Sequence, residues 1–256
     1  MTHKDDWLSM RSVDVRFGGV HALSGVTFDH RQGEVLGLIG PNGAGKTTLL
    51  NTMTGLVQPH TGSLKFQGEE LAGKSPQQIV SLGIVRTFQN TELYAGMDVR
   101  QNVMLGCHPR VDYGIFAAMG YIGKARRRER QFRIEVDGIL DQLGLLEYAD
   151  LDIEGLPYGV RKRIEIARAL ALRPKVLLLD EPAAGATDED REALLRDIRH
   201  IVSEVGASVI LIEHDVKMVM TVCDRIAVLN WGEVLAIGTP DEIRSNREVE
   251  AAYLGV

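Results

Sequence analysis

The chain is poor in the residues that build disulfide frameworks and metal cages. Its 256 residues include two cysteines, Cys107 and Cys223, far apart and in no C-x-x-C pair. Both therefore read as small buried hydrophobes of a protein kept in a reducing compartment, with no metal framework. No apolar run approaches the roughly 18 residues a membrane span requires. The longest, around Val176–Leu179 and Val209–Ile212, are the size of strands. The start, Met1–Trp7, is acidic and has no apolar segment, so it does not read as a secretory signal. Basic excess is also missing. The net charge is −6, which makes nucleic acid an unexpected partner. There is no internal repeat and no low-complexity tract. What remains is a 45% hydrophobic chain, long enough for a large α/β domain with a subdomain.

Against that background one segment stands out. Residues Gly40–Thr47 read G-P-N-G-A-G-K-T, a complete G-x-x-x-x-G-K-[ST] phosphate-binding loop. A buried strand, Glu34–Ile39, precedes it, and a helix, Thr47–Met53, follows. That context gives the motif its meaning. Glycines let backbone N–H groups point at phosphate oxygens, and the helix start adds free N–H groups and a positive dipole end. Gly40, Pro41, Asn42, Gly43, Ala44, Gly45, Lys46, Thr47 and Thr48 are the candidate nucleotide contacts. Lys46 reaches the β- and γ-phosphates and Thr47 holds Mg²⁺ in such a loop.

A second run completes the chemistry. Val176–Leu179 is a fully apolar strand ending in Asp180 and Glu181. After a phosphate loop, the first carboxylate sits beside Mg²⁺ through water and the second polarises the attacking water. Leu211–Asp215 places His214 at the end of another apolar strand, at the sheet edge that carries the phosphate loop.

Around these motifs the pattern predicts strands at Ser12–Phe17 and Gly25–Phe28, Gly62–Phe66 and Ile84–Gln89, and a helix at Pro76–Leu82 ended by Gly83. Residues 98–150 read as mostly helical with a break near His108–Gly114; in them Ile139, Leu140, Leu143 and Leu146 share a core face. The basic stretch Lys124–Arg133 reads as a solvated helix face, with an acidic partner or lipid headgroups as the alternative. Helices follow at 160–172 and Asp188–Val202, then a strand at Ser208–Ile212 and a hairpin, Arg225–Leu229 with Glu233–Ile237, around Trp231-Gly232. Thr239–Glu242 is a capping box with proline at the first helical position, opening a C-terminal helix over about 240–254. The expected organisation is an α/β core of residues 1–90 and about 173–240, interrupted by a helical subdomain of about 91–172.

The order of these motifs resembles an ABC-type ATPase over essentially the whole chain. It is most similar to the ATP-binding subunits of branched-chain amino-acid ABC importers. The stretches that carry the resemblance are Arg86–Asn90, Ile164–Leu170, Leu179–Gly185, Leu211–Asp215 and Ala252–Gly255, together with Gly114–Phe116 and the basic residues after it. The resemblance implies a P-loop NTPase fold with an antiparallel β subdomain and a helical insertion. It implies that Phe17 stacks on adenine, that Gln89 touches Mg²⁺ and senses a transmembrane partner, that His214 contacts the γ-phosphate and that Glu181 is the catalytic carboxylate. It implies ATP and Mg²⁺ as cofactors. The partners would be a second ATPase subunit (a paralogue or a second copy) bound head to tail, transmembrane permeases, and indirectly a periplasmic solute-binding protein. The chain would then lie on the cytoplasmic face of the inner membrane, held there by the permeases.

Two departures are visible. The family's L-S-G-G-Q signature is here Leu156-Pro157-Tyr158-Gly159-Val160, in which Tyr158 and Gly159 remain candidate contacts to a nucleotide across the subunit interface. Pro157 removes a hydroxyl and an N–H. The loop that often ends in aspartate ends in Thr187, followed by three acids, which reads as a helix N-cap and also resembles urea-type relatives. Import of urea, amides or aromatic acids and a soluble or regulatory ABC ATPase are the alternatives. A GTPase would want an N-K-x-D motif, and there is none.

Overall fold

The computed structural model describes residues 7–87, 93–110 and 122–254. Gln89, Asn90, Gly114–Phe116 and Gly255 lie outside them. The described chain forms two compact units. The first comprises residues up to Arg86, Lys175–Ala184 and Leu195 onward; the second comprises Thr87–Pro174 and Gly185–Leu194.

Two sheets build the first unit. The antiparallel one contains β1 (Leu8–Phe17), β2 (Val20–His30), β4 (Thr61–Phe66) and β5 (Glu69–Glu70), in the order β2-β1-β4-β5. Its strands start earlier than the sequence pattern indicates, because Leu8 and Met10 are fully buried and pair with His30 and Phe28. The second sheet contains β3 (Val35–Ile39), β6 (Ile84–Arg86), β7 (Val176–Asp180), β8 (Ser208–Ile212), β9 (Arg225–Asn230) and β10 (Glu233–Gly238). Its order is β10-β9-β3-β8-β7-β6. All pairs but β9–β10 are parallel. Strands β3, β7 and β8 are buried at every position, as parallel strands covered on both faces must be. Cys107 and Cys223 are both buried, in line with their reading as small hydrophobes.

The helices of this unit begin and end where their caps dictate. Helix α1 (Lys46–Met53) follows Gly45. Helix α2 (Pro76–Leu82) starts at a Ser75–Gln78 capping box and ends at the left-handed Gly83. The C-terminal region departs from the single helix expected over 240–254. Pro240–Arg244 and Arg247–Leu254 are separate helices, because the Asn246 side chain accepts from the N–H groups of Glu248 and Val249 and caps a new start.

In the second unit helix α3 (Val99–Met104) starts at an Asp98–Gln101 capping box and runs into a 3₁₀ turn, Leu105–Arg110. Helix α4 (Ile122–Gln142) and helix α5 (Tyr158–Leu170) complete its frame. Arg100 is buried between Asp137, at 2.5 Å, and Asp150. Of the expected core face, Leu140 and Leu143 are buried, but Leu146 is 41% exposed. Helix α4 ends before it at Gln142, so the helical spacing lapses and the fully buried Leu145 takes the core position. Among the described side chains of the basic stretch, residues 127–131 and 133 are exposed and Phe132 is buried under Arg128.

One buried group of the first unit makes the fold sensitive to acid. His30 is 1% exposed, and its Nε2–H donates to the carbonyl of Glu34. Burial pushes its pKa down to about 4. The unfolded chain, with an ordinary histidine value, takes up that proton first as pH falls. Stability is therefore whole above about pH 6.5 and is lost progressively toward pH 4. Between pH 7 and pH 5 the loss from this group is about 2 kcal/mol. Urea denaturation at the two pH values should show His30→Leu with a correspondingly flatter dependence than the parent.

Candidate functional site

The order of the second sheet assembles the site. β8 lies between β3 and β7, so the C-terminal ends of three parallel strands meet at one edge. β3 delivers the phosphate loop, β7 delivers Asp180 and Glu181, and β8 delivers Glu213 and His214. Open parallel sheets place their ligands at this edge.

The loop is held from outside by close backbone packing. Gly45 has φ +103, and a Cβ there would stand 2.6 Å from the carbonyl oxygen of Ala22. Gly232 in the β9–β10 turn donates its N–H to Ala44 O at 3.0 Å, and Ser24 donates to Gly232 O at 2.8 Å. Trp231, at the same turn, is 84% exposed. Lys46 is buried, and its ammonium donates to Gly40 O at 2.7 Å and Pro41 O at 3.0 Å. Desolvation moves its pKa below the ordinary lysine value, opposed by the charges of Glu181 and Asp180.

A cavity of about 330 Å³ opens beside the loop. It is lined by Asn42–Thr48, Glu181 and His214 together with Val20, His21, Ala22 and Trp231. Phe17 is 53% exposed at the end of β1 and is not in this wall; its pairing partner Val20 is. His214 Nε2 lies 2.9 Å from Glu181 Oε1, so the Nε2–H tautomer donates to the carboxylate. Asp180 is buried, and its Oδ2 accepts from Arg86 at 2.6 Å. The same guanidinium reaches Asn51 Oδ1 of α1 at 2.6 Å. Arg86 thus ties β6, β7 and α1 together behind the loop. Gln89 lies outside the described residues.

No cluster of three or more His, Cys, Asp or Glu groups able to cage a metal exists among the described residues. Thr47 lines the cavity and the buried Asp180 ends β7, so a hydroxyl and a carboxylate stand at this sheet edge. Few hard oxygens suit a Mg²⁺ ion that arrives with, and is largely held by, phosphates. The site therefore fits the metal the sequence implies.

Tyr158 and Gly159 belong to the second unit. Pro157 stands at the N-cap of α5 with no side-chain cap bond. Tyr158 lies beneath Arg161 and Lys162, whose cations are 5.9 and 5.6 Å from its ring centre. Gly159 is buried against Asp190, where a Cβ would fall 2.1 Å from the carboxyl carbon. Asp190 also accepts from the N–H and hydroxyl of Thr187, while Thr187 Oγ1 accepts from Asp190 N–H, the N-cap geometry the sequence implies. Gly159→Ala should displace Asp190 and lower stability by about 1–3 kcal/mol. A urea titration should show that cost shrinking when Asp190→Ala is added, because the obstructing carboxylate has gone.

Sequence reasoning assigned no role to Arg86 or Glu213. Each is a charged residue at the end of an apolar run, Ile84-Val85 or Val209–Ile212, which is visible in the sequence; their partners depend on strand order and are not.

Comparison with known proteins supplies a family. The ABC transporter family profile matches residues 23–184, and that of the branched-chain amino acid ATP-binding cassette transporters matches residues 233–256. The chain is 40% identical over 248 residues to the high-affinity branched-chain amino acid transport ATP-binding protein LivG of Salmonella typhimurium, covering 97% of both chains. It is equally similar, with the same coverage, to BraF of Pseudomonas aeruginosa, whose description is the same. Among solved structures, a nucleotide-free ATP-binding cassette from an ABC transporter superposes with a TM-score of 0.83 at 28% identity, over 98% of this chain and 99% of the other. The ADP conformation of an ATP-binding cassette of an ABC transporter gives the same values.

Proposed function

The chain belongs to the ABC transporter family as an ATP-binding and hydrolysing subunit, and from that membership we propose that it powers the import of branched-chain amino acids. The observation that carries the solute is similarity along 97% of the chain, including the C-terminal match to the branched-chain cassettes over residues 233–256. Among the described residues no helix is long and apolar enough to cross a membrane. The subunit works as one of a pair bound to transmembrane permeases on the cytoplasmic face of the inner membrane, with a periplasmic binding protein presenting the solute to the permeases. Each ATP lies between the phosphate loop of one subunit and the Leu156–Val160 segment of the other. Residues 91–172, with Gln89 before them, face the permease.

The geometry at the sheet edge supports the following chemistry. Lys46 exchanges its two carbonyl partners for phosphate oxygens, and the N–H groups of Gly43–Thr48 supply the rest of the cradle. Phe17 stacks on the adenine, a contact typically worth about 1–3 kcal/mol. Thr47 and Asp180, with Gln89 as the resemblance implies, would hold Mg²⁺, which when bound would supply positive charge against the phosphates. Arg86 holds Asp180 in place for that task. Glu181 accepts a proton from the attacking water, and His214 orients the Glu181 carboxylate toward the γ-phosphate. Rate enhancement comes from positioning and electrostatics.

Uptake of labelled leucine, isoleucine and valine in cells lacking this chain tests the solute. Loss of that uptake, restored by the chain and not by its Lys46→Ala form, is the expected result. Retained leucine uptake with loss of urea, amide or aromatic-acid uptake would transfer the assignment to those solutes.

A further inference from the structure

Glu213 is a carboxylate at the end of β8 that is 5% exposed and has no part in the hydrolysis scheme above. Its Oε1 accepts from the N–H of Ala183 at 2.6 Å, and its Oε2 accepts from the N–H of His214 at 3.3 Å. One side chain therefore holds the backbone of both loops that carry the Glu181–His214 pair. Burial raises its pKa, and the negative charge of Glu181 adds to the rise.

The loop it holds is under strain. Glu181 has φ +50, the left-handed region that side chains with a Cβ seldom occupy. Pro182 follows it, and a residue before proline is pressed toward extended backbone. Such a conformation persists only where its surroundings over-determine it. Three contacts do so here. Glu181 N–H donates to Ile212 O at 2.9 Å, which extends the β7–β8 ladder by one step. Ala184 N–H donates to Glu181 O at 3.2 Å and closes the turn. The third is the short Ala183 bond to Glu213. Pro182 has no N–H to offer, so Ala183 carries the first donor after Glu181 that can be tied to the neighbouring strand.

We propose that Glu213 is a positioning residue for hydrolysis: a buried carboxylate clamp that keeps Glu181 in its left-handed backbone and its carboxylate beside His214. The inference rests on Glu181 being the base that activates water. Glu213 then governs turnover far more than ATP affinity, because among the described residues its bonds go to Ala183 and His214 and none goes to the phosphate loop on β3.

The test compares Glu213→Met, Glu213→Asp and Glu213→Gln in the full chain. Phosphate release and the affinity for a fluorescent ATP analogue are both measured. Met removes the acceptors and Asp withdraws them by one methylene, so each should lower turnover by on the order of 100-fold, the cost of misplacing a reacting group by about 1 Å. Affinity should stay within about twofold of the parent. Gln keeps an acceptor for Ala183 and should recover most of the rate. If Met fails to fold, Asp and Gln carry the comparison. Each substitution is then combined with Glu181→Gln. A clamp that acts only through Glu181 adds no further loss to that variant, whereas a loss that multiplies overturns the proposal. Normal turnover in Glu213→Asp also overturns it. A separate failure, Glu181→Gln hydrolysing at the parental rate, would remove the base assignment itself.

Discussion

Glu181→Gln should bind ATP as the parent does and hydrolyse it about 10² to 10⁴ times more slowly, the range general-base catalysis contributes. The substitution is nearly isosteric, so the three backbone contacts around residue 181 survive. His214 Nε2–H, 2.9 Å from the present carboxylate oxygen, can donate equally to an amide oxygen. Only the capacity to take a proton is lost. Phosphate release under single turnover, beside a nucleotide-binding titration, separates the two effects. A parental rate would exclude Glu181 as the base.

Lys46→Ala should act on the opposite step. Among the described residues of the cavity wall that holds Asn42–Thr48, Lys46 supplies the only lysine or arginine head group. Charge-assisted hydrogen bonds of this kind contribute about 1.5–3 kcal/mol each, so nucleotide affinity should fall on the order of 100-fold. The empty loop should loosen as well, because Gly40 O and Pro41 O lose their present donor. Lys46→Arg should not rescue binding, since the planar guanidinium cannot occupy a pocket that admits a single ammonium. Titration of a fluorescent nucleotide reads the affinity, and a melting curve reads the loop. Unchanged affinity in Lys46→Ala would remove the phosphate-holding role.

These effects concern residues that sequence spacing exposed. The phosphate loop is contiguous, and its strand and helix are local, so Gly40–Thr48 could be read without knowledge of the fold. Asp180, Glu181 and His214 were legible because strand ends are visible as the last residue of an apolar run. The conformation of Glu181 was not: E-P reads as extended backbone, and only the contacts from β8 hold it left-handed. Arg86 and Glu213 escaped for a related reason. A charge at a strand end has meaning once the neighbouring strand is known, and the order β3-β8-β7 inverts the order of synthesis. The helical spacing that puts Leu146 on the core face runs past Gln142, where the helix ends. The break at Ser245-Asn246 carried a local signal, an asparagine ahead of acidic residues, that the longer apolar pattern obscured.

That inverted strand order also governs when the protein can come into being. β3, which presents the phosphate loop, has β8 and β9 as its sheet neighbours and none made before residue 208. A nascent chain that has exposed the whole loop, and even Asp180 and Glu181, still lacks the strand that joins them. Any nucleotide held by the loop at that stage would be joined to Asp180 and Glu181 only once β8 is made. The sheet closes when β8 slides between two strands already made. Pairings this distant along the chain are slow to form. Until that moment the apolar edges of β3 and β7 are open to any other strand, and the cell must keep them apart.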